Sequence, residues 1–473
     1  MSKQNELARN TVIIAFGKIC TQLISFFLLP LYTEILSTKE YGTVDLILTY
    51  VSLFLPVATL ALEQSVFRFL IDVRKNTKKK MEFITTSLAA ATLIICLLEI
   101  VLFLCNLYFH SSVAGYFGVV LFASVYSTMF LQICRGLGDN LTYSLAGVLT
   151  AIIQIICNII FLVFFDFGAK GMILSTILGN LSCAFFIYCR CNLRKFLSIK
   201  MYNKDTVIEM VRYSLPLVPN QLSWWALQAS DKVIVQFFIG ISGNGLLAVA
   251  NKFPGVYMQF NTIFTISWTE SATLHIHDED AKQFFYKTIN SFMNLFSSLC
   301  FGIIICMPVV FRIMVNSQYS DAYGIIPFYM MGSLFNALVS FYGVIYVAYK
   351  DTIQIMKTAI MAAIINVISH LLLIQFLGIY AAAISTMIGF GFMAIYRYFH
   401  SRRYIVVKLS YKFFVFSTIM MLFSFTGFYS NNLSIQVFSF IVVLLISIYI
   451  NLEMINIIFL KLKEKVFSIL CGR

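Results

Sequence analysis

Charge is what this chain has least of. Asp, Glu, Lys and Arg together make up 12% of its 473 residues, where a soluble domain carries about 25%. Long polar stretches are missing too: no segment between apolar runs is large enough for a soluble catalytic domain. Proline is sparse, at 7 residues, and tryptophan sparser, at 3. With 60% hydrophobic residues and a mean hydropathy of +0.86, the chain holds more apolar surface than a water-facing fold can hide. These shortages exclude disorder, collagen-like repeats and a water-soluble enzyme, and leave a polytopic membrane protein.

The 11 cysteines supply no zinc-finger spacing. Most lie in apolar runs (Cys20, Cys96, Cys105, Cys157, Cys183, Cys300, Cys306), where they act as small hydrophobes, and Cys189-x-Cys191 is too isolated to read as a metal site. The formal charge of +13 needs no nucleic acid. Lys and Arg sit in short clusters between apolar runs, as in proteins whose basic loops fix membrane orientation. Lys3 and Arg9 precede an apolar run from Thr11 past Pro30 without a small-x-small cleavage site, which predicts an uncleaved first span.

About 20 apolar residues cross the hydrocarbon. Fourteen segments qualify, at roughly 11–32, 43–70, 83–105, 114–134, 142–165, 171–189, 214–238, 246–270, 288–315, 325–348, 354–376, 379–399, 413–429 and 435–460. The basic clusters Arg74 to Lys80, Arg190 to Arg212 and Arg397 to Lys412 then fall on the side of the N-terminus, and only Lys39 and Lys170 lie in loops on the other. Both termini are expected in the cytoplasm.

Phe167-Gly-Ala-Lys-Gly-Met-Ile-Leu-Ser-Thr-Ile-Leu-Gly179 resembles Leu377-Gly-Ile-Tyr-Ala-Ala-Ala-Ile-Ser-Thr-Met-Ile-Gly389. Gly168, Ser175, Thr176 and Gly179 align with Gly378, Ser385, Thr386 and Gly389, and each segment follows a span carrying an asparagine (Asn158, Asn366). Gly42 and Gly245, each opening a span of the same direction, fit the same register. A shift of six spans preserves helix direction, so the halves are expected to be parallel repeats about an axis along the membrane normal. The fold class is therefore all-α, with two six-helix bundles over 1–205 and 206–400. Two additional helices and a tail over 401–473 stand outside the repeat.

A charge at membrane depth costs about 2.5–3.5 kcal/mol on insertion scales and marks a pathway. Span 1 carries Lys18 and Gln22 on one stripe, and span 7 aligns Gln221, Trp225, Gln228, Lys232 and Gln236. Lys252, Gln259 and Glu270 share a face of span 8; Asp45, Ser52 and Glu63 share one of span 2. These stripes point to a hydrated cationic cavity, with Lys18, Arg68, Lys232, Lys252, Gln22, Gln228, Gln259 and Trp225 as its binding residues. Glu63, Asp231 and Glu270 are the candidates for coupling to Na+ or H+; no cofactor and no metal is expected. Asp45 reads as facing the outer headgroups and His370 as a hydrogen-bonded core residue. His275-x-His277-Asp278-Glu279-Asp280 reads as a solvated turn. The prolines, grouped in the spans that carry the stripes, are expected to bend helices that rock between states.

The helix holding Asn10 and Lys18, Glu40-Tyr41-Gly42 before span 2, and Arg135-Gly136 followed by Tyr143-Ser144 resemble the polysaccharide-transporter branch of the multidrug/oligosaccharidyl-lipid/polysaccharide exporter superfamily. That branch includes the O-antigen and capsule repeat-unit flippases. The resemblance implies alternating-access transfer of undecaprenyl-pyrophosphate-linked oligosaccharide across a bacterial inner membrane, and no enzyme activity. It also implies partners among membrane lipids, a polysaccharide polymerase and chain-length proteins. Buried lysine or arginine suits a pyrophosphate. A cation-coupled drug antiporter of the same superfamily is the nearest alternative, but such antiporters commonly place an acid in the first helix, where this chain has Lys18. A membrane-embedded polymerase or acyltransferase would be expected to show a large outer loop or a His/Asp constellation.

Overall fold

The computed structural model describes residues 26–109, 112–276 and 278–456, and no strand occurs among them. Most of the first expected span lies outside these residues; α1 (Leu29–Ile35) begins near its end, and the second span appears as α2 (Thr38–Ala58) and α3 (Leu62–Asp72). Next come α4 (Thr77–Phe109), α5 (Ser112–Leu137), α6 (Asn140–Asn158, prolonged by a π-helical stretch over Ile159–Phe164) and α7 (Gly168–Arg190). A short α8 (Lys204–Ser214) leads into α9 (Leu217–Phe238), α10 (Ile241–Ala250) and α11 (Lys252–His275). The chain then runs through α12 (Ala281–Met314), α13 (Ile326–Ala348), α14 (Thr352–Leu377), α15 (Tyr380–His400), α16 (Tyr411–Tyr429) and α17 (Leu433–Ile450).

Among the described residues, 11 helices are long and apolar enough to cross a membrane: α2, α4, α5, α6 with its π-helical extension, α7 and α12 to α17. Spans 7 and 8 are not among these because α9 and α11 carry the Gln, Asn, Trp and Lys stripes, and because span 8 is split after Ala250. The fold is all-α with two bundles. Its two compact units are Met1–Lys252 with Asn366–Ala382, and Phe253–Ile365 with Ala383–Arg473.

In the first unit the Glu40-Tyr41-Gly42 motif does three jobs. Glu40 closes a capping box: Ser37 Oγ accepts from the Glu40 amide at 3.2 Å, and Glu40 Oε2 accepts from the Ser37 amide at 3.0 Å. Tyr41 packs on Tyr32, whose hydroxyl accepts from Asn158 Nδ2 at 2.9 Å. Gly42 brings the α2 backbone against α10, where a Cβ would stand 2.1 Å from the Ile241 carbonyl oxygen. Gly245 answers from the other side, its absent Cβ 2.0 Å from the Thr38 oxygen. The two glycines aligned by the repeat are thus the two halves of one helix crossing.

The second span is broken instead of continuous. After Pro56 the chain passes through Leu60 (φ 50°) and Ala61 (φ 53°), two left-handed residues without a glycine between them. Every amide through the break is still satisfied, Leu60 by Val57 O, Ala61 by Pro56 O and Leu62 by Thr59 O, as a low-dielectric setting requires.

The prolines are placed differently from the expectation of bends. Pro30, Pro219, Pro254 and Pro327 occupy first turns, and Pro216 the N-cap of α9, where the missing amide costs no hydrogen bond. Only Pro56 and Pro308 lie inside helices.

The second unit has an aromatic core. Trp268 stacks on Phe341 at 4.6 Å and Phe264 on Phe292 at 3.9 Å, while Tyr323 stacks on Phe428 at 4.1 Å and donates to its carbonyl. Those last contacts tie α16 to the segment between α12 and α13, and Ser424 Oγ, donating to Phe301 O, ties it to α12 itself. Gly168 and Gly378, the aligned openers of α7 and α15, have φ of +53° and +54°. Ser175 and Ser385 are both fully buried.

Candidate functional site

Within the first unit α2 and α9 are joined by polar contacts along their length. Trp225 Nε1 donates to Thr49 O and Ser52 Oγ, both at 3.1 Å. Tyr50 donates to Gln236 Oε1 at 2.9 Å. Between them Lys232 Nζ reaches both oxygens of Asp45, at 3.0 and 2.9 Å, and the two side chains are 18% and 19% exposed. Spacings of 7 and 4 residues on α9 put Trp225, Lys232 and Gln236 on one face, so this part of the stripe read in the sequence is turned to α2.

Two further charges complete the cluster. Asp231 is 3% exposed, and its carboxylate accepts from the Lys232 amide at 2.9 Å. Lys252, opening α11, lies within Coulombic reach of both Asp45 and Lys232. Two lysines and two aspartates therefore share the region. It is a balanced charge cluster in which an anion competes with carboxylates for the amines, not a bare cationic wall. Asp45, expected at the outer headgroups, is turned onto Lys232.

The other sequence candidates are distributed as follows. Glu63 is 3% exposed at the α2–α3 break, its Oε2 2.7 Å from Thr59 Oγ1, with the Gln221 amide beside it. Gln228 is exposed on α9. Arg68 is also exposed and pairs with Asp72 at 2.7 Å, one turn along α3. Gln259 and Glu270 are half-buried on α11 in the second unit. Lys18 and Gln22 lie outside the described residues. His275 Nδ1 meets Asp278 Oδ2 at 2.6 Å in a half-exposed turn, and His277 is outside the described residues. His370 is fully buried, but neither ring nitrogen has a hydrogen-bond partner among the described residues, which departs from the expectation of a bonded core histidine.

One buried charge was assigned from sequence to a loop. Arg397 is 2% exposed. Its guanidinium donates to Thr358 Oγ1 (3.1 and 2.8 Å) and Val339 O (2.9 Å), lies over the Tyr346 ring and occupies the space a Gly343 Cβ would take. Proximity to Arg402 and Arg403 masked it; Gly343 and Thr358, on other helices, make the space and the acceptor. Removing the head by Arg397→Ala strands a carbonyl and a hydroxyl, and is expected to cost about 3 kcal/mol. Arg397→Lys, which lacks the planar fork, should recover less than half of that. Thermal unfolding of detergent-purified protein measures both, and wild-type stability of Arg397→Ala would contradict the bonding described.

Residues 7–268 match the family model described as Polysaccharide biosynthesis protein, more than half of the chain. The chain belongs to that family. No curated protein matches it. Its backbone is similar to an inward-facing multidrug resistance MATE family transporter of the MOP superfamily, with TM-score 0.68 and 14% identity over 84% of this chain and 97% of the other. It is also similar to the lipid II flippase MurJ in an inward closed conformation, with TM-score 0.65 and 17% identity over 96% and 99%. An outward-facing MATE transporter matches with TM-score 0.59 and 16% identity, over 84% and 94%. This polysaccharide biosynthesis family member thus has a fold like that of the MATE transporters and MurJ, and its charge cluster sits on helices that the family model covers.

Proposed function

We propose that the protein is a flippase that carries undecaprenyl-pyrophosphate-linked oligosaccharide repeat units outward across the bacterial inner membrane, for O-antigen, capsule or a related surface polysaccharide. The observation that carries this reading is the Lys232–Asp45 pair with Lys252 beside it, on helices expected at membrane depth. A pyrophosphate is a competitor able to displace Asp45 from Lys232, because it offers more negative charge and more acceptor oxygens than one carboxylate. Family membership and the likeness to a lipid II flippase support the same substrate class.

In this reading Lys18, Lys232 and Lys252 hold the diphosphate, Arg68, Gln22, Gln228, Gln259 and Trp225 line its path, and the polyprenyl tail stays in lipid. An inside-negative potential favours outward movement of the anion by about 2.3 kcal/mol per charge per 100 mV. The carboxyls of Glu63, Asp231 and Glu270 are the groups for a coupling Na+ or H+. Both termini face the cytoplasm, and a polymerase and chain-length proteins receive the product.

The test is single replacement of Lys18, Lys232 and Lys252 by Gln in cells that need the protein for surface polysaccharide. Each variant is expected to lower polysaccharide at least tenfold per unit of folded protein in the membrane. Wild-type polysaccharide from all three would remove the reading. Unchanged polysaccharide with altered resistance to cationic drugs would favour an antiporter, the reading that likeness to MATE transporters supports.

A further inference from the structure

The turn between α5 and α6 brings together side chains that take no part in the charge cluster. α5 ends in a Schellman motif: the Gly138 amide donates to Arg135 O at 3.0 Å and the Asp139 amide to Cys134 O at 3.2 Å, with Gly138 at φ +95°. That closure folds Asp139 back over Cys134. Asp139 then caps α6, its Oδ1 accepting from the Thr142 amide at 3.0 Å and its Oδ2 from the Thr142 hydroxyl at 2.6 Å. Cys191, the C-cap of α7, arrives from the other side, with its Sγ 3.5 Å from Sγ of Cys134. The Cys134 thiol, the Cys191 thiol and a carboxylate oxygen of Asp139 all lie within 4.8 Å of one another.

We propose that Cys134, Asp139 and Cys191 form a binding site for a thiophilic divalent metal ion of the zinc class, which ties the ends of α5, α6 and α7 together. Zinc binds thiolate at about 2.3 Å, so two sulfurs on a tetrahedral ion stand about 3.8 Å apart. The observed 3.5 Å needs only a small adjustment to reach that spacing. Sulfur donors select against Mg2+ and Ca2+, which take oxygen. A carboxylate completes a three-ligand set, leaving the fourth position to water. Binding releases the two thiol protons, so affinity rises with pH. The Thr142 amide and hydroxyl hold the carboxylate, as outer groups commonly orient metal ligands. Cys134 is fully buried and Cys191 half-buried, so the ion enters past Cys191. The site is independent of what the protein transports. By the expected topology it faces the cytoplasm, where reducing conditions keep thiols available.

The experiment uses the full chain in detergent, reduced, stripped with chelator and titrated with Co2+. A near-ultraviolet thiolate-to-cobalt band saturating at one ion per chain, displaced by Zn2+, is expected. Cys134→Ser and Cys191→Ser should abolish the band, Asp139→Asn should weaken binding at least about tenfold, and Cys189→Ser should leave it unchanged. Since Cys134→Ser alters a buried position, a second readout is maleimide labelling of Cys191 in the Cys189→Ser chain, expected to be blocked by Zn2+. The same cobalt spectrum in a Cys134→Ser/Cys191→Ser chain, or no thiolate band in the wild type, would overturn the site. So would diamide-driven disulfide formation between the two cysteines at equal rate with and without Zn2+.

Discussion

Gly42→Ala is expected to prevent the protein from accumulating in folded form, one of the two largest effects of a single methyl group in the described structure. The new Cβ would stand 2.1 Å from the Ile241 oxygen and 2.8 Å from the Gly245 amide nitrogen, and all of these neighbours are backbone. Ordinary overpacking costs about 1–3 kcal/mol because side chains swing aside. Here α2 and α10 must part, and the loss extends to the capping box and the Lys232–Asp45 pair that the same helix carries. Against a total stability of about 5–15 kcal/mol, that is enough to unfold the first unit. Gly245→Ala meets the Thr38 oxygen at 2.0 Å and should behave alike. Gly302→Ala is the control: its Cβ meets nothing within 4 Å, and alanine is the better helix former by about 1 kcal/mol. Size-exclusion profiles of detergent extracts read all three. A monodisperse peak of wild-type height for Gly42→Ala would show that the crossing is not needed.

The sequence announced this crossing only in part, and the reason is instructive. Composition and periodicity locate helices because each span must bury its own backbone bonds, which is why the segments at 171–189 and 379–399 reappear as α7 and α15. The repeat was legible for the same reason: Gly168 and Gly378 need the same left-handed turn, and Asn158 and Asn366 the same burial. What pairs with what is another matter. Lys232 and Asp45 are 187 residues apart, and no local pattern links them. The break at Leu60 and Ala61 carries no glycine to mark it, because surrounding contacts impose left-handed backbone on residues that do not prefer it. Arg397 finds a carbonyl on one helix and a hydroxyl on another, and a buried backbone acceptor leaves no trace in side-chain composition. Cys134 and Cys191 meet across 57 residues for similar reasons.

Lys232→Gln is expected to abolish export and also to destabilise the protein, and a second substitution separates the two effects. Removing the amine takes from Asp45, 19% exposed, the ion-pair partner that touches both its oxygens, and leaves it with Asp231 close by and Lys252 within Coulombic reach. Breaking a buried pair from one side costs about 3–5 kcal/mol, because one charge remains uncompensated. Replacing both members by neutral, similarly shaped groups is often close to neutral for stability. Asp45→Asn/Lys232→Gln should therefore recover most of the lost thermal stability. If Lys232 only braces α2 against α9, that double variant should also recover surface polysaccharide. If Lys232 is the group a diphosphate takes from Asp45, export must stay at least tenfold down while stability returns. Asp45→Asn alone sharpens the contrast: it frees the amine, so it should bind polyprenyl diphosphate more tightly and release it more slowly. Restored export in the double variant would reduce the pair to a structural brace, and the flippase reading would then rest on Lys18 and Lys252.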